Sequence, residues 1–104
     1  MKVLTVCQGG NSRSVGCACL LKLKYGIDAI ASGWEFNSNE TKEMLFKWAD
    51  CIIVMQEIFK EHIPLEYHNK LLVVDVGEDS YFAISQDLMT LCDSMLAPRM
   101  QFVE

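Results

Sequence analysis

One cysteine and one arginine stand six positions apart near the start of this 104-residue chain, in the run Val6-Cys7-Gln8-Gly9-Gly10-Asn11-Ser12-Arg13-Ser14. The pattern is C-x5-R-S. Between the two lie glycines, Asn and Ser, residues that tolerate unusual backbone angles and project little bulk. A free thiol is mostly protonated at neutral pH, and only the thiolate attacks. Backbone N–H groups converging in a glycine-rich nest at a helix N-terminus stabilise anionic sulfur and bind an anion equally well. Arg13 adds a planar fork of donors suited to two oxygens of a phosphate-like dianion, a geometry that lysine lacks. Ser14 is placed to donate its hydroxyl to the Cys7 sulfur, before attack and again when the sulfur leaves. No Gly-Lys-Ser/Thr triplet ends the loop, which sets it apart from a nucleotide-binding Walker loop.

C-x5-R alone is a loose pattern, and its place in the chain supplies the specificity. Lys2 to Val6 reads as a short buried strand and Ser14 to Tyr25 as a helix. Strand, tight loop and helix form the unit with which open α/β folds bind anions. In the opposing reading Cys7 is a small buried apolar residue and Arg13 a solvated one.

The same alternation continues. Gly26 stops the first helix, and Asp28 to Ser32 reads as a second strand. Gly33 to Asn39 is a loop carrying Trp34 and Phe36. Asn37 with Glu40 resembles a capping box opening a helix through Met44, Leu45 and Trp48. Cys51 to Met55 is a continuous apolar run, the mark of a central parallel strand. A short helix from about Glu57 to Glu61 ends before Pro64, and Leu71 to Asp75 forms the fourth strand. After a loop from Val76 to Tyr81, a last helix carries Leu88, Leu91, Cys92, Met95 and Leu96 on one face. The expectation is an α/β fold: a single three-layer domain, residues 1–104, with a four-stranded parallel, doubly wound sheet flanked by helices. Ligands of such sheets sit at the carboxyl ends of the strands. Here that edge carries the Cys7 loop, the Trp34 loop and the loop from Asp75 to Tyr81.

Composition narrows the function classes. Apolar residues make up 51% of the chain and charged residues 22%, as in soluble globular proteins. No apolar run approaches the ~20 residues that span a bilayer, and the apolar start is too short for a signal peptide. The expected location is cytoplasmic, away from membranes. The net charge of -5 argues against nucleic acid as a partner, so a phosphorylated substrate must be captured by local donors. The five cysteines, at 7, 17, 19, 51 and 92, form no C-x-x-C pair and lie at no zinc-ligand spacing from a histidine. Cys17, Cys19, Cys51 and Cys92 read as core residues. His62 and His68, in a loop around Pro64, carry no assigned role. Neither metal nor cofactor is implied.

With these motifs in view, the chain resembles the low-molecular-weight protein tyrosine phosphatases. Their first strand ends in C-x5-R-S, and a late Asp-Pro-Tyr precedes the final helix. Cys7 to Ser14 and Asp79-Ser80-Tyr81 stand in those places. Ser32-Gly33 after the second strand and Ala49-Asp50-Cys51-Ile52-Ile53-Val54-Met55 also look alike. Family members are longer, so connections here are expected to be shortened between the second and third strands and before the fourth. Gly10 stands where the family loop usually carries Asn, Ser12 replaces a frequent cysteine, and Ser80 replaces the proline after the catalytic aspartate.

The resemblance implies a flavodoxin-like, phosphotyrosine phosphatase I-like fold and a hydrolase working through a cysteinyl-phosphate. Cys7 is the implied nucleophile. Gln8, Gly9, Gly10, Asn11, Ser12, Arg13 and Ser14 hold the phosphoryl oxygens, and Asp79 is the general acid and base, with Glu78 and Asp75 as competitors. Trp34, Phe36, Tyr81 and Phe82 are candidates to wall the cleft and stack on a phenyl ring. The implied partner is a phosphorylated protein or a small aryl phosphate. Three rivals share parts of the pattern. An arsenate reductase needs two relay cysteines in a mobile segment. A phosphocysteine carrier like the sugar phosphotransferase IIB components lacks the Arg-Ser ending. A non-catalytic phosphate- or phosphotyrosine-binding module would have lost turnover with its shortened loops.

Overall fold

The computed structural model describes residues 1–10, 12–35, 37–77 and 85–98. Val3 to Cys7 are all buried, so the first strand, β1 (Lys2–Cys7), is covered on both faces. It lies inside a four-stranded parallel sheet of order β2-β1-β3-β4, with β2 (Asp28–Gly33), β3 (Cys51–Val54) and β4 (Leu71–Val73). The apolar run at β3 is buried between β1 and β4, as its composition requires. From β1 the chain steps one way to β2, then back past β1 to β3. Right-handed crossovers therefore place helices α1 (Arg13–Tyr25) and α2 (Asn39–Trp48) on opposite faces. The last helix, α3 (Gln86–Leu96), packs against α1. No helix among the described residues is long and apolar enough to cross a membrane.

The core is built from the sheet and the inner helix faces, with Leu4, Leu21, Ile52, Met55, Leu88 and Leu96 fully buried. Leu88, Cys92 and Leu96 repeat every four residues and face inward, while Leu91 and Met95 are half-buried at the rim of the stripe. Thr5 is the fully buried polar residue of β1, and its hydroxyl donates to the Ser14 carbonyl at 2.7 Å. That bond fixes the first turn of α1 against the strand. Cys17 and Cys92 are buried in contact between α1 and α3, and the bond between them, with burial, pushes the Cys17 thiol up. Cys19 and Cys51 are only half-buried, and burial raises the Cys51 thiol as well. At the far end of α1, Tyr25 and Lys24 both donate to the Asp93 carboxylate, at 2.6 and 2.5 Å, and hold it below the usual carboxylate range.

Four local expectations need correction. The cap of α2 is Ser38, whose hydroxyl accepts from the Thr41 N–H at 3.1 Å, and not Asn37. Asn37 turns back instead, donating to the Gly33 carbonyl at 2.7 Å. The segment between β3 and β4 holds two 3-10 helices, Glu57–His62 and Leu65–Lys70, split by the Ile63-Pro64 bend. His62 and His68 therefore lie in helical turns, and His68 Nε2 bonds the Ile63 carbonyl at 2.8 Å. β3 and β4 each stop short of the expected Met55 and Asp75, at Val54 and Val73. Parallel hydrogen bonding nonetheless continues for a step: Met55 N–H donates to Val6 O at 2.9 Å and Val76 N–H to Met55 O at 3.1 Å.

Tyr67, buried against Phe46, donates its hydroxyl to a Glu43 carboxylate oxygen, which pushes the phenol up to about 12. Between the ordinary phenol value of 10.0 and that point the folded chain holds a proton the unfolded chain has lost. The stability from this bond is thus intact at lower pH and is lost as pH rises through about 12. Tyrosinate absorbance during alkaline titration checks it: Tyr67→Phe should delete a step near 12. Deletion of a step at the ordinary phenol position instead would mean that the Glu43 bond is not made.

Candidate active site

The loop after β1 is positioned by the strand beside it. Pairing of β1 with β2 runs on past Gly33, with Trp34 N–H donating to Cys7 O and Glu35 N–H to Gln8 O, both at 3.1 Å. The two backbones then touch. Gly10 has φ +75°, and a Cβ there would sit 2.7 Å from Gly33 N. A Cβ on Gly33 would sit 2.6 Å from both Gln8 O and Gly9 C. Only glycine fits at either place, so Gly33 is as much a part of the loop as the residues within it. Gln8 Nε2 adds a bond to Glu35 Oε2 at 2.8 Å on the outer edge.

Cys7 ends β1 with its sulfur beneath the loop and is 2% exposed. Gly10 N–H donates to Sγ at 3.2 Å, and Ser14 Oγ lies 3.1 Å from it. Ser14 is itself fully buried, its carbonyl engaged by Thr5, so its hydroxyl is fixed beside the sulfur. Helix α1 opens directly above. Ser12 makes no side-chain capping bond there, and the first turn holds no acidic residue. The positive end of the helix dipole therefore faces the loop without a carboxylate to offset it.

Arg13, the first residue of α1, is 3% exposed. A cation at a helix N-terminus is electrostatically misplaced unless an anion joins it. Its Nη1 donates to Gln56 Oε1 at 2.8 Å and to Gly77 O at 2.9 Å, and the guanidinium lies 5.2 Å from the Phe59 ring. Both hydrogen-bond partners are neutral. Among the described residues no carboxylate pairs with it, and its Nε is buried without a partner. Burying a charge costs several kcal/mol, against about 1.5–3 kcal/mol for each hydrogen bond to a charged group.

The structure brings Cys7, Gly10 and Ser14 together, with Gln8, Gly9 and Ser12 in the loop between Cys7 and Ser14, while the Arg13 side chain reaches Gln56, Gly77 and Phe59. Trp34 borders this end of the sheet. Its indole stacks on His62, centroids 3.6 Å apart and planes 8° from parallel, and packs obliquely on Phe59 at 6.0 Å. Asp75 has both carboxylate oxygens occupied, by Glu57 N–H at 3.0 Å and Gly77 N–H at 2.9 Å, so it braces the loop after β4. Asn11, Phe36, Glu78, Asp79, Tyr81 and Phe82 lie outside the described residues. Sequence reasoning missed Gln56, Phe59, His62 and Gly77, which contact the site through side chains or carbonyls after β3 and β4. The one available signal was that they follow strand ends of a parallel sheet. Among the described residues no group of three or more His, Cys, Asp or Glu side chains is placed to hold a metal ion.

No family model matches the chain, and no curated protein matches it by sequence. Solved structures do. A mutant of the YwlE arginine phosphatase superposes with TM-score 0.72 at 18% identity, over 97% of this chain and 96% of that one. The tyrosine phosphatase Wzb from Escherichia coli K30, in complex with phosphate, gives 0.70 at 12% identity over 99% and 98%. A low-molecular-weight protein tyrosine phosphatase from Bacillus subtilis gives 0.67 at 19% identity over 98% of each chain. The chain thus has the fold of the low-molecular-weight protein tyrosine phosphatases over nearly its whole length, as its motifs implied.

The contact between Gly10 and Gly33 predicts that Gly33→Ala costs about 1–3 kcal/mol through overpacking. In a domain of about 100 residues that is a fall in Tm of at least ~4 °C, measurable by calorimetry. An unchanged Tm would show that the loop is not seated on β2.

Proposed function

We propose that this chain, folded as the low-molecular-weight protein tyrosine phosphatases are, is a cysteine-dependent phosphatase acting on phosphotyrosine or aryl phosphate monoesters. The carrying observation is the buried Arg13, without a carboxylate partner among the described residues, at the start of the helix whose preceding loop gives the Gly10 N–H to the Cys7 sulfur. A dianionic phosphoryl group supplies the missing charge. The backbone N–H groups of the loop and the guanidinium fork take its equatorial oxygens, and the Cys7 sulfur stands below the phosphorus for in-line attack.

In the first step the Cys7 thiolate forms the S–P bond as the P–O bond to the aryl group breaks. Asp79 gives its proton to the leaving phenolate oxygen. In the second, the Asp79 carboxylate takes a proton from water, whose oxygen attacks phosphorus. The S–P bond breaks, inorganic phosphate leaves and the thiolate returns, stabilised by the Ser14 hydroxyl. Such transition states are loose, so positioning and charge stabilisation carry most of the acceleration. Asp79 is favoured over Asp75, because the Asp75 carboxylate is held by two backbone N–H groups. Two comparisons support the scheme: the YwlE mutant carries a phosphorylated active-site serine, and Wzb from Escherichia coli holds phosphate. Trp34, held flat by His62, offers a wall for the aryl ring. The substrate is a phosphorylated protein or small aryl phosphate, and the reaction draws on no cofactor. A cytoplasmic location fits free thiols at all five cysteines.

Hydrolysis of an aryl phosphate without added metal tests the reading. Cys7→Ser should abolish turnover, and Asp79→Asn should lower kcat by ~10²–10⁴-fold, the usual worth of a general acid. Absence of turnover in reduced, folded wild type would overturn it.

A further inference from the structure

Arg13 is oriented by an amide where a carboxylate would form the stronger bond. Gln56 follows β3 at once, and its backbone is pinned on both sides. Met55 N–H donates to Val6 O, Val76 N–H donates to Met55 O, and the Gln56 carbonyl itself accepts from Phe59 N–H at 3.0 Å. Its Oε1 accepts from Arg13 Nη1 at 2.8 Å, and the Gly77 carbonyl takes a second Nη1 bond at 2.9 Å. The end of the guanidinium away from the loop is therefore clamped by two neutral acceptors. The Nε–H, on another edge, is buried and unpartnered among the described residues. Glutamate at 56 would match the shape of Gln56 and bond more strongly. It would also cancel the one buried positive charge of the site.

We propose that Gln56 is a positioning residue that fixes the Arg13 guanidinium while leaving its charge undischarged, so that a bound phosphate dianion meets a full cation. This rests on the anion-site reading above. Gln56 acts through Arg13 and needs no contact with the substrate. A merely structural partner would be served at least as well by glutamate, so the two roles predict opposite orders of effect.

The experiment measures binding of inorganic phosphate to the full chain by calorimetry, for wild type, Gln56→Glu and Gln56→Leu, with thermal unfolding of each in phosphate-free buffer. Gln56→Glu should unfold no earlier than wild type, yet bind phosphate about tenfold to a hundredfold more weakly, the loss expected when a charge-assisted contact is neutralised. Gln56→Leu removes the bond without adding charge. It should keep phosphate within about threefold and lower kcat for an aryl phosphate about tenfold with little change in KM, since orientation is needed most in the transition state. Phosphate binding by Gln56→Glu at wild-type strength would overturn the proposal, as would an unchanged kcat in Gln56→Leu. Failure of wild type itself to bind phosphate would instead remove the anion-site reading, and this inference with it.

Discussion

The buried guanidinium of Arg13 is the constraint on which the site end of the molecule depends. It leaves the first turn of α1, crosses the carboxyl ends of the strands, lies over Phe59 and bonds to Gln56 and Gly77. One side chain thus ties two separate connections, those after β3 and after β4, to the start of α1. Its burial is costly and its hydrogen-bond partners among the described residues are neutral, so several contacts act together to hold it. Asp75 extends the same device, holding the turn that presents the Gly77 carbonyl by accepting from two backbone N–H groups.

A second constraint is steric. The loop after Cys7 is seated on β2, where Gly10 and Gly33 approach with no room for a Cβ on either. β2 pairs with β1 through Cys7↔Gly33, so the register of the sheet sets the height of the sulfur relative to the loop. Thr5 does the same for the helix by tying the Ser14 carbonyl to β1. The Cys7 sulfur, the loop and the helix are therefore positioned by the paired strands β1 and β2.

The chain carries a net charge of -5, yet the described part of this site gathers a helix N-terminus, a backbone N–H and one buried arginine. On the proposed reading, local donors would take the place of a broad positive field. The other cysteines belong to a different chemistry. Cys17 and Cys92 sit in the core between α1 and α3, where their mutual bond and burial keep the Cys17 thiol protonated.

Much of this was legible in the residues in order. The C-x5-R-S spacing, the apolar run at β3 and the Gly26 stop are local signals, because loop geometry, strand burial and helix termination depend on neighbours in the chain. They determined the four parallel strands, the anion loop and the roles open to Cys7, Arg13 and Ser14. Asn37 in place of Ser38 as the cap of α2 was a local error, since the Asn37 amide is drawn away to the Gly33 carbonyl. Gln56, Gly33, Gly77 and His62 were not legible as site residues, since each acts across the sheet on a partner distant in sequence. That Arg13 is buried against the neutral acceptors Gln56 and Gly77 was decided only by the tertiary structure. Burial and pairing of a charge are set by what packs around it, and no spacing along the chain records that.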